Sequence, residues 1–262
     1  MEVIVTPMGS RGWMPRAGRQ TMCTLVRMGK VNFLLDCGTG ASRLLEPSVQ
    51  ALLGDGPLTV LFSHYHLDHM VGLMYLPGIF GGSGRPLRLA GPRAGFTQHG
   101  LLEACARLTT QPLSSRHYLD FPCPLELCEF GPDGLILDGI HVAASLQDHP
   151  GGSVALRIGE ALCYATDLAA STRELALAEG VKALIHEAWS LEPQAPLGPH
   201  SGLPEALERA RRAGVPRLIP SHFGPAMTEA EIRRMGAFSA DSVQVLVPME
   251  GRPIRIGQAW GA

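Results

Sequence analysis

The segment LTVLFSHYHLDHM, residues 58–70, decides the expected fold and chemistry. Its first part, from Leu58 to Phe62, is a run of apolar and β-branched residues typical of a buried strand. Four side chains that can bind a metal follow within six residues, and these are His64, His66, Asp68 and His69. Imidazole and carboxylate groups together suit Zn²⁺ or a neighbouring metal, and a cluster without thiolates favours a catalytic over a closed structural site.

Length and composition favour a compact globular protein. The chain has 262 residues, of which 45% are hydrophobic, so the apolar surface is enough for a substantial core. Lys and Arg number 22 against 24 Asp and Glu, and the formal charge is -2. This balance gives no overall field that would attract polyanions. We expect one domain over residues 1–262.

Short runs rich in Val, Leu and Ile alternate with turns that contain Gly and Pro, and these runs are predicted to be strands. One of them is LILDGIHVAAS, residues 135–145. Helical spacing of apolar residues predicts helices over 41–53, 67–76, 93–108, 172–179, 203–213 and 228–238. Pro204 and Thr228 are typical helix starts. The pattern predicts an α+β fold in which helices cover the sheets in αβ/βα layers.

The six cysteines lack paired metal-binding spacing, so we expect them to be reduced and mostly buried. Cys123 and Cys128 leave a bridge or a metal pair as alternatives. The N-terminal segment has no basic start followed by an apolar stretch, and no apolar run reaches membrane-spanning length. We therefore expect a cytoplasmic location and no membrane contact.

The cluster at residues 64–69 matches the signature H-x-H-x-D-H in full, and the chain resembles the metallo-β-lactamase superfamily. The resemblance implies a four-layer αβ/βα sandwich, with two mixed β-sheets covered by helices and a dinuclear metal site at one end. It also implies two Zn²⁺ ions per chain, with Mn²⁺ as an alternative.

A dinuclear site needs further ligands, and three candidates follow downstream strands: His149, Asp167 and His222. The resemblance implies that His64, His66 and His149 hold the first ion, that Asp68, His69 and His222 hold the second, and that Asp167 bridges them. Each downstream residue also has a structural alternative: His149 as a turn residue, Asp167 as a helix N-cap and His222 as a loop histidine. His141 is a rival to His149, which we prefer because it directly adjoins the following strand.

Asp36 follows the apolar strand of FLLDCGTG, residues 33–40. The resemblance implies that its carboxylate orients a metal-bound histidine, because a ligating imidazole usually donates its other N–H to a carboxylate or carbonyl. The alternative is a turn-forming Asp before Gly.

The motif H-E-A at residues 186–188 and a histidine ahead of the next helix, His200, resemble the ribonuclease Z-like branch, which includes cyclic phosphodiesterases. The resemblance implies that Glu187 holds His200 as a general acid at the leaving group, and that Asp68 accepts a hydrogen bond from the nucleophile as well as binding metal. A capping or loop role for His200, and an arginine partner for Glu187, stay open. Three arginines of the early Gly-rich loop suit phosphate but are assigned to no site: Arg11, Arg16 and Arg19.

These features predict a dinuclear metal-dependent hydrolase, namely a phosphodiesterase acting on a small or cyclic phosphodiester or on a nucleic-acid end. One alternative is tRNA 3′ processing, with an RNA 3′ end as substrate. Long-armed enzymes of that kind insert a tRNA-binding arm between the residues matching His149 and Asp167, where this chain has only PGGSVALRIGEALCYAT, residues 150–166. A thioester or acyl hydrolase of the glyoxalase II type stays open too, as does a metal-binding protein without turnover. Related enzymes form dimers, so we expect a homodimer.

Overall fold

Fourteen strands form the centre of the structure, a computed structural model that describes residues 2–53, 56–169, 175–193, 199–239 and 242–257. In chain order the strands are β1 (Val3–Gly9), β2 (Cys23–Met28), β3 (Val31–Leu35), β4 (Leu58–Leu61), β5 (Leu87–Pro92), β6 (Leu125–Phe130), β7 (Leu135–Leu137), β8 (Ile140–Gln147), β9 (Ser153–Ile158), β10 (Leu162–Ala165), β11 (Ala183–Glu187), β12 (Arg217–Ser221), β13 (Gln244–Val245) and β14 (Ile254–Ile256).

The strands form two seven-stranded sheets, in the orders β14-β1-β2-β3-β4-β5-β6 and β13-β12-β11-β10-β9-β8-β7. Both sheets are mixed and repeat one pairing pattern. Pairing is antiparallel from β14 to β3 and parallel from β3 to β6. It is likewise antiparallel from β7 to β10 and parallel from β10 to β13. β3 and β10, where the pairing changes, therefore occupy equivalent places.

Seven short α-helices lie within the described residues: α1 (Pro47–Leu53), α2 (Leu67–Met70), α3 (Leu76–Phe80), α4 (Leu101–Thr109), α5 (Leu175–Ala178), α6 (Leu203–Arg212) and α7 (Glu229–Arg234). The described residues also contain 3-10 turns at Thr39–Leu45, Val71–Tyr75, Tyr118–Asp120 and Met235–Phe238. Pro204 lies in the first turn of α6. Thr228 caps α7, accepting a hydrogen bond from the Glu231 N–H. Both predicted helix starts are confirmed.

Three apolar clusters define four layers. The central cluster joins the facing sides of the two sheets and includes Phe33 and Tyr164, both fully buried. Leu34 and Val60, on the outer face of the first sheet, pack against α1, α3 and α4. On the outer face of the second sheet, Leu184 packs against α5, α6 and α7. The helix, sheet, sheet, helix order confirms the predicted αβ/βα sandwich.

The structure corrects several predicted elements. The helix expected over 93–108 begins only at Leu101, because Gly95 has a φ of 87° and Gly100 is extended. The helix expected over 41–53 is interrupted at Glu46, which precedes Pro47 and is extended, since the α conformation is disfavoured before proline. The strand predicted over 135–145 is a hairpin.

The remaining predictions have separate outcomes. β6 was not predicted as a strand. Of the helix expected over 172–179, residues 172–174 lie outside the described residues. All six cysteines are free, four of them buried, which agrees with the prediction. No helix among the described residues is both long and apolar enough to cross a bilayer. The extent of a single domain over 1–262 stays a prediction.

Candidate metal centre

Residues of the candidate site lie where strands end. Asp36 follows β3, His64 follows β4, Asp167 follows β10 and His222 follows β12, so one end of the two sheets carries them all. Asp36, Asp167 and His222 have positive φ values of 54°, 57° and 51°. This left-handed conformation is uncommon outside glycine, although Asp and His adopt it more readily than most residues. It turns the chain sharply at each strand end and concentrates backbone strain at the site.

Asp167 lies at the centre of the cluster. Its Oδ1 is 3.4 Å from His149 Nε2 and 4.0 Å from His64 Nε2. Its Oδ2 is 2.9 Å from His69 Nε2 and 3.0 Å from His222 Nε2. Each carboxylate oxygen therefore faces a different pair of imidazoles.

Asp68 and His66 complete the two groups. Asp68 Oδ2 is 3.5 Å from His69 Nε2 and 3.6 Å from His222 Nε2. His66 Nδ1 is 3.2 Å from His149 Nε2. The structure thus brings together all seven residues that the sequence analysis selected as ligands.

Hydrogen bonds around Asp36 fix which imidazole nitrogens carry protons. Ser63 Oγ donates its single proton to Asp36 Oδ2 over 2.8 Å, so His64 Nδ1, 3.0 Å from the same Oγ, must donate to it. His69 Nδ1 donates to Asp36 Oδ2 over 2.8 Å. The Tyr164 hydroxyl donates to that oxygen as well, over 2.7 Å. In His64 and His69, therefore, the lone pair at Nε2 is directed into the cluster.

The cluster leaves several buried polar atoms without a partner. Among the described residues, these atoms have no hydrogen bond that meets normal geometry: the Nε2 atoms of His64, His69 and His222 and the Oδ2 atom of Asp167. Unpaired buried polar groups are costly and rare in native proteins. A cation between them would satisfy both the imidazole lone pairs and the carboxylate.

The pKa shifts separate the histidines into two kinds. Burial lowers the pKa values of His64, His66 and His149, so these imidazoles are neutral near pH 7 and can act as ligands. Burial acts in the same direction on His69 and His222, but nearby carboxylates, Asp167 foremost, outweigh it. They raise the pKa of His69 well above its ordinary value and that of His222 to about 10. Excess negative charge therefore surrounds these two imidazoles, and a bound cation would take the place of the extra proton on each.

The donor set fits divalent metal ions. Two groups of potential ligand atoms lie within 4.8 Å of one another in each case: His64, His66, His149 and Asp167, and also Asp68, His69 and His222. Imidazole nitrogens and carboxylate oxygens are ligands for Zn²⁺ and related metals. Because its two oxygens face different groups, Asp167 would contact an ion held by either group. The arrangement supports the ligand sets expected from the sequence.

His200 and Glu187 lie beside this cluster as a hydrogen-bonded pair. His200 Nδ1 is 3.0 Å from Glu187 Oε2, and the Glu187 carboxylate is fully buried. Its Oε1 accepts hydrogen bonds from the backbone N–H groups of Ser201, over 2.6 Å, and Leu168, over 3.1 Å. The hydrogen bond from His200 helps to lower the pKa of Glu187 against its burial. Glu187 is thus an anchored anion that orients His200 towards the cluster.

Four residues considered in the sequence analysis lie elsewhere or act differently. His141 is exposed on β8 and pairs with Ile136, away from the cluster, whereas His149 lies within it. The three arginines of the early loop bind protein oxygens. Arg11 donates to the Gly224 carbonyl, and Arg16 to that of Pro225. Arg19 forms a two-pronged ion pair with Glu229.

Three contacts at the site were not found from the sequence. Tyr164 lies inside β10 and its sequence context is that of a core aromatic residue, so nothing indicated its bond to Asp36. Trp13 belongs to the Gly-rich loop, and its backbone N–H donates to Asp68 Oδ2 over 2.7 Å. Trp189 directly follows the H-E-A motif and stacks on His200. For the two tryptophans, the signal available in the sequence was their position next to a recognised motif.

Comparisons with known proteins bear on the family and the fold of the chain. Residues 31–223 match a family described as the Beta-lactamase superfamily domain. The chain is 28% identical over 259 residues to a protein named Ribonuclease Z from Mycobacterium marinum, with 90% of this chain and 91% of that protein covered.

Two solved structures share the fold. The metallo-beta-lactamase fold protein YhfI from Bacillus subtilis superimposes with a TM-score of 0.74 at 22% identity, covering 97% of this chain and 99% of that one. A diphosphatase described as belonging to the PhnP family has a TM-score of 0.69 at 16% identity, covering 97% of each chain.

Proposed function

The chain belongs to the beta-lactamase superfamily, and from that membership and the geometry of the cleft we propose that it is a dinuclear metal-dependent phosphodiesterase. The predicted superfamily is thereby confirmed. The observation that carries the proposal is the position of Asp167, whose two carboxylate oxygens face separate groups of imidazoles. Such a carboxylate suits two neighbouring cations.

The proposed ligand sets follow the geometry. His64, His66 and His149 would hold one ion, Asp68, His69 and His222 would hold the other, and Asp167 would contact both. When bound, two such metals lower the pKa of water and stabilise negative charge on phosphoryl oxygens. We propose Zn²⁺ as the metal, with Mn²⁺ as the alternative.

The side chains around the cleft supply the remaining chemistry. The Asp68 carboxylate, besides binding metal, can accept a hydrogen bond from the attacking water. His200 lines the same cleft, with Nδ1 bonded to Glu187, so its Nε2 can hold a proton for the departing alkoxide.

The shape of the cleft favours a small or cyclic phosphodiester or a nucleic-acid end as substrate. The cleft beside the cluster has a volume of about 220 Å³. Between His149 and Asp167 the chain forms only the β9–β10 hairpin, with no tRNA-binding arm in this described segment. The proposal includes a homodimer, on the basis of the resemblance, and keeps the cytoplasmic location expected from the sequence.

A second candidate function is RNA 3′-end processing. The curated relative that matches 90% of this chain is named Ribonuclease Z. A precursor tRNA with a labelled 3′ trailer separates the two functions, because an RNA-processing enzyme would release the trailer, while a small-diester enzyme would hydrolyse only a model diester.

The main test is hydrolysis of thymidylyl-(3′→5′)-thymidine, a diester whose leaving group is an alkoxide, by protein of measured metal content. His200→Ala should lower kcat by about 10²–10⁴-fold. His99→Ala is a matched control, because His99 pairs with Glu103 at 3.1 Å on the surface and should leave kcat unchanged. Stoichiometric metal without diester turnover, or full turnover in the His200 variant, would contradict the assignment.

A further inference from the structure

An apolar pocket adjoins the metal cleft. It has a volume of about 510 Å³, and its walls are formed by Trp13 and Pro15 of the early loop, by Thr21 and Thr39, and by Leu67 and Val71 around α2. Two candidate metal ligands, His66 and Asp68, form its border with the cleft. A group bound here would therefore be in direct continuity with a group held at the cluster.

The pocket lies on the side of the cleft away from the proposed proton donor. The cleft shares Trp13, His66 and Asp68 with the pocket, while His200 and Trp189 line the cleft but not the pocket. Because His200 would protonate the leaving alkoxide, the pocket faces the opposite substituent. That substituent stays on phosphorus when the diester is cleaved.

The chemistry of the walls favours an uncharged occupant. No Lys or Arg occurs among the described residues that line the pocket. The hydroxyls of Thr21 and Thr39 are 3.2 Å apart, and each accepts a hydrogen bond from the other residue's backbone N–H over 2.8 Å. Their polar groups are thus largely satisfied by each other. A second phosphate would find no cation here, whereas an apolar or aromatic group would find matching walls.

Trp13 supplies a stacking surface. Its side chain is 75% exposed, yet its backbone is held in place because its N–H donates to Asp68 Oδ2 over 2.7 Å. Its φ of 68° is unusual for a large residue and indicates that surrounding contacts impose the conformation. An exposed indole whose backbone is bonded to a candidate metal ligand is a platform on which a flat ring can stack.

We propose that the pocket between Trp13 and Leu67 binds a planar aromatic group, such as a nucleobase, on the part of the phosphodiester that remains attached to phosphorus. This inference rests on the proposed function. Leu67 is 63% exposed and lines the same pocket, so removal of water from its side chain by a bound ring would add to the stacking.

Two substrates with the same leaving group test the pocket. Thymidine 5′-(p-nitrophenyl phosphate) carries a base on the retained side, and methyl p-nitrophenyl phosphate carries only a methyl group. The native protein should have the higher kcat/KM for the thymidine ester. Trp13→Ala should lower this preference by about tenfold, because base stacking on an aromatic residue is lost, and Trp13→Phe should retain most of it.

Phe238→Ala is the matched control. Phe238 is 41% exposed and lines a separate cavity of about 890 Å³ that adjoins the other side of Trp189. Its replacement should leave the substrate preference unchanged. An equal kcat/KM for both esters in the native protein, or loss of the preference in the Phe238 variant with the Trp13 variant unaffected, would overturn the proposal.

A binding measurement separates this proposal from the hydrolase proposal. Calorimetry of the metal-loaded protein should give a lower Kd for thymidine 5′-phosphate than for methyl phosphate, and Trp13→Ala should remove the difference. If that result appears without turnover of any diester, the pocket stands and the phosphodiesterase assignment fails. Equal affinity for the two phosphates, or no binding of either, overturns the pocket whatever the turnover.

Discussion

The indole of Trp189 lies flat on the imidazole of His200, with ring centroids 3.8 Å apart and an interplanar angle of 2°. The same imidazole bonds edge-on to Glu187 through Nδ1, at 3.0 Å. The stacked ring fixes the plane of the imidazole, and the carboxylate fixes its rotation within that plane. Together these two contacts hold the His200 imidazole with its Nε2 directed at the cleft.

Trp189 is therefore expected to be a positioning residue for His200. Trp189→Leu should lower kcat for thymidylyl-(3′→5′)-thymidine, whose leaving group is an alkoxide, by about tenfold to a hundredfold with little change in KM, because misplacing a catalytic group affects the transition state most. Trp189→Phe keeps a flat ring and should restore most of kcat. Steady-state kinetics measures both, and a rise in KM alone would show instead that Trp189 contacts substrate.

Asp36 should control metal affinity without being a ligand. Its buried carboxylate accepts hydrogen bonds from His69 Nδ1, the Ser63 Oγ and the Tyr164 hydroxyl. An asparagine has one acceptor oxygen instead of two, so Asp36→Asn should weaken metal binding about 10- to 100-fold. Competition with a chromophoric chelator measures the affinity.

The matched control for that substitution is Asp138→Asn. Asp138 also has a positive φ, 49°, but lies at the turn between β7 and β8, where it pairs with Arg88. Its replacement should leave metal affinity unchanged. Equal metal affinity in the native protein and the Asp36 variant would show that the His69 imidazole needs no carboxylate to bind metal.

Metal removal should destabilise the fold. In the described structure the Nε2 atoms of His64, His69 and His222 are buried and unpaired around the Asp167 carboxylate, so an ion that binds there stabilises only the folded state. At a free metal concentration 100 times Kd the contribution is about 2.7 kcal/mol. Thermal unfolding should shift to lower temperature after chelation and recover on adding Zn²⁺. An unchanged Tm in protein that elemental analysis shows to have lost its metal would argue against a site at this cluster.

Much of the site could be predicted because the informative side chains follow strand ends. His149, Asp167 and His222 are far apart in the chain, yet each comes after an apolar run. Asp167 and His222 follow β10 and β12, in the parallel part of the second sheet, and His149 follows β8, whose antiparallel hairpin with β9 turns at the same end. The order of these residues after a complete H-x-H-x-D-H motif then selected them. The layered fold followed from the same alternation of strands and helices.

The remaining features depend on tertiary contacts or on local turns. Tyr164 faces Asp36 only because β3 and β10 lie opposite each other in the two sheets, which no local pattern records. The hairpin turns at Asp138 and Gly139, and an Asp-Gly pair is a strong hairpin signal. The apolar residues on both sides of this pair nevertheless indicated one continuous strand. The apolar pocket at Trp13 needs the early loop to meet α2, an approach of residues far apart in sequence.

His186 provides a test of pH-dependent stability beneath the site. Its imidazole is fully buried, donates from Nδ1 to the Glu187 carbonyl over 2.7 Å, and has Nε2 2.9 Å from Arg209 Nη1. Arg209 cannot accept a proton, so Nε2 must be the acceptor and the imidazole is neutral. Burial, with the charge of Arg209, lowers the pKa of His186 to about 3.

The sign of the effect follows from linkage. Between pH 6.5 and 3 the unfolded chain protonates His186 while the folded protein does not, so this residue's contribution to stability is present above pH 6.5 and is lost as pH falls. His186→Gln keeps one donor and one acceptor and removes the titration. The free energy of unfolding of the native protein minus that of the variant should therefore decrease between pH 7 and pH 4.5, by roughly 1.36 kcal/mol per pH unit once below 6.5. Urea unfolding at each pH measures both proteins, and a difference that stays constant with pH would show that His186 is protonated in the folded state.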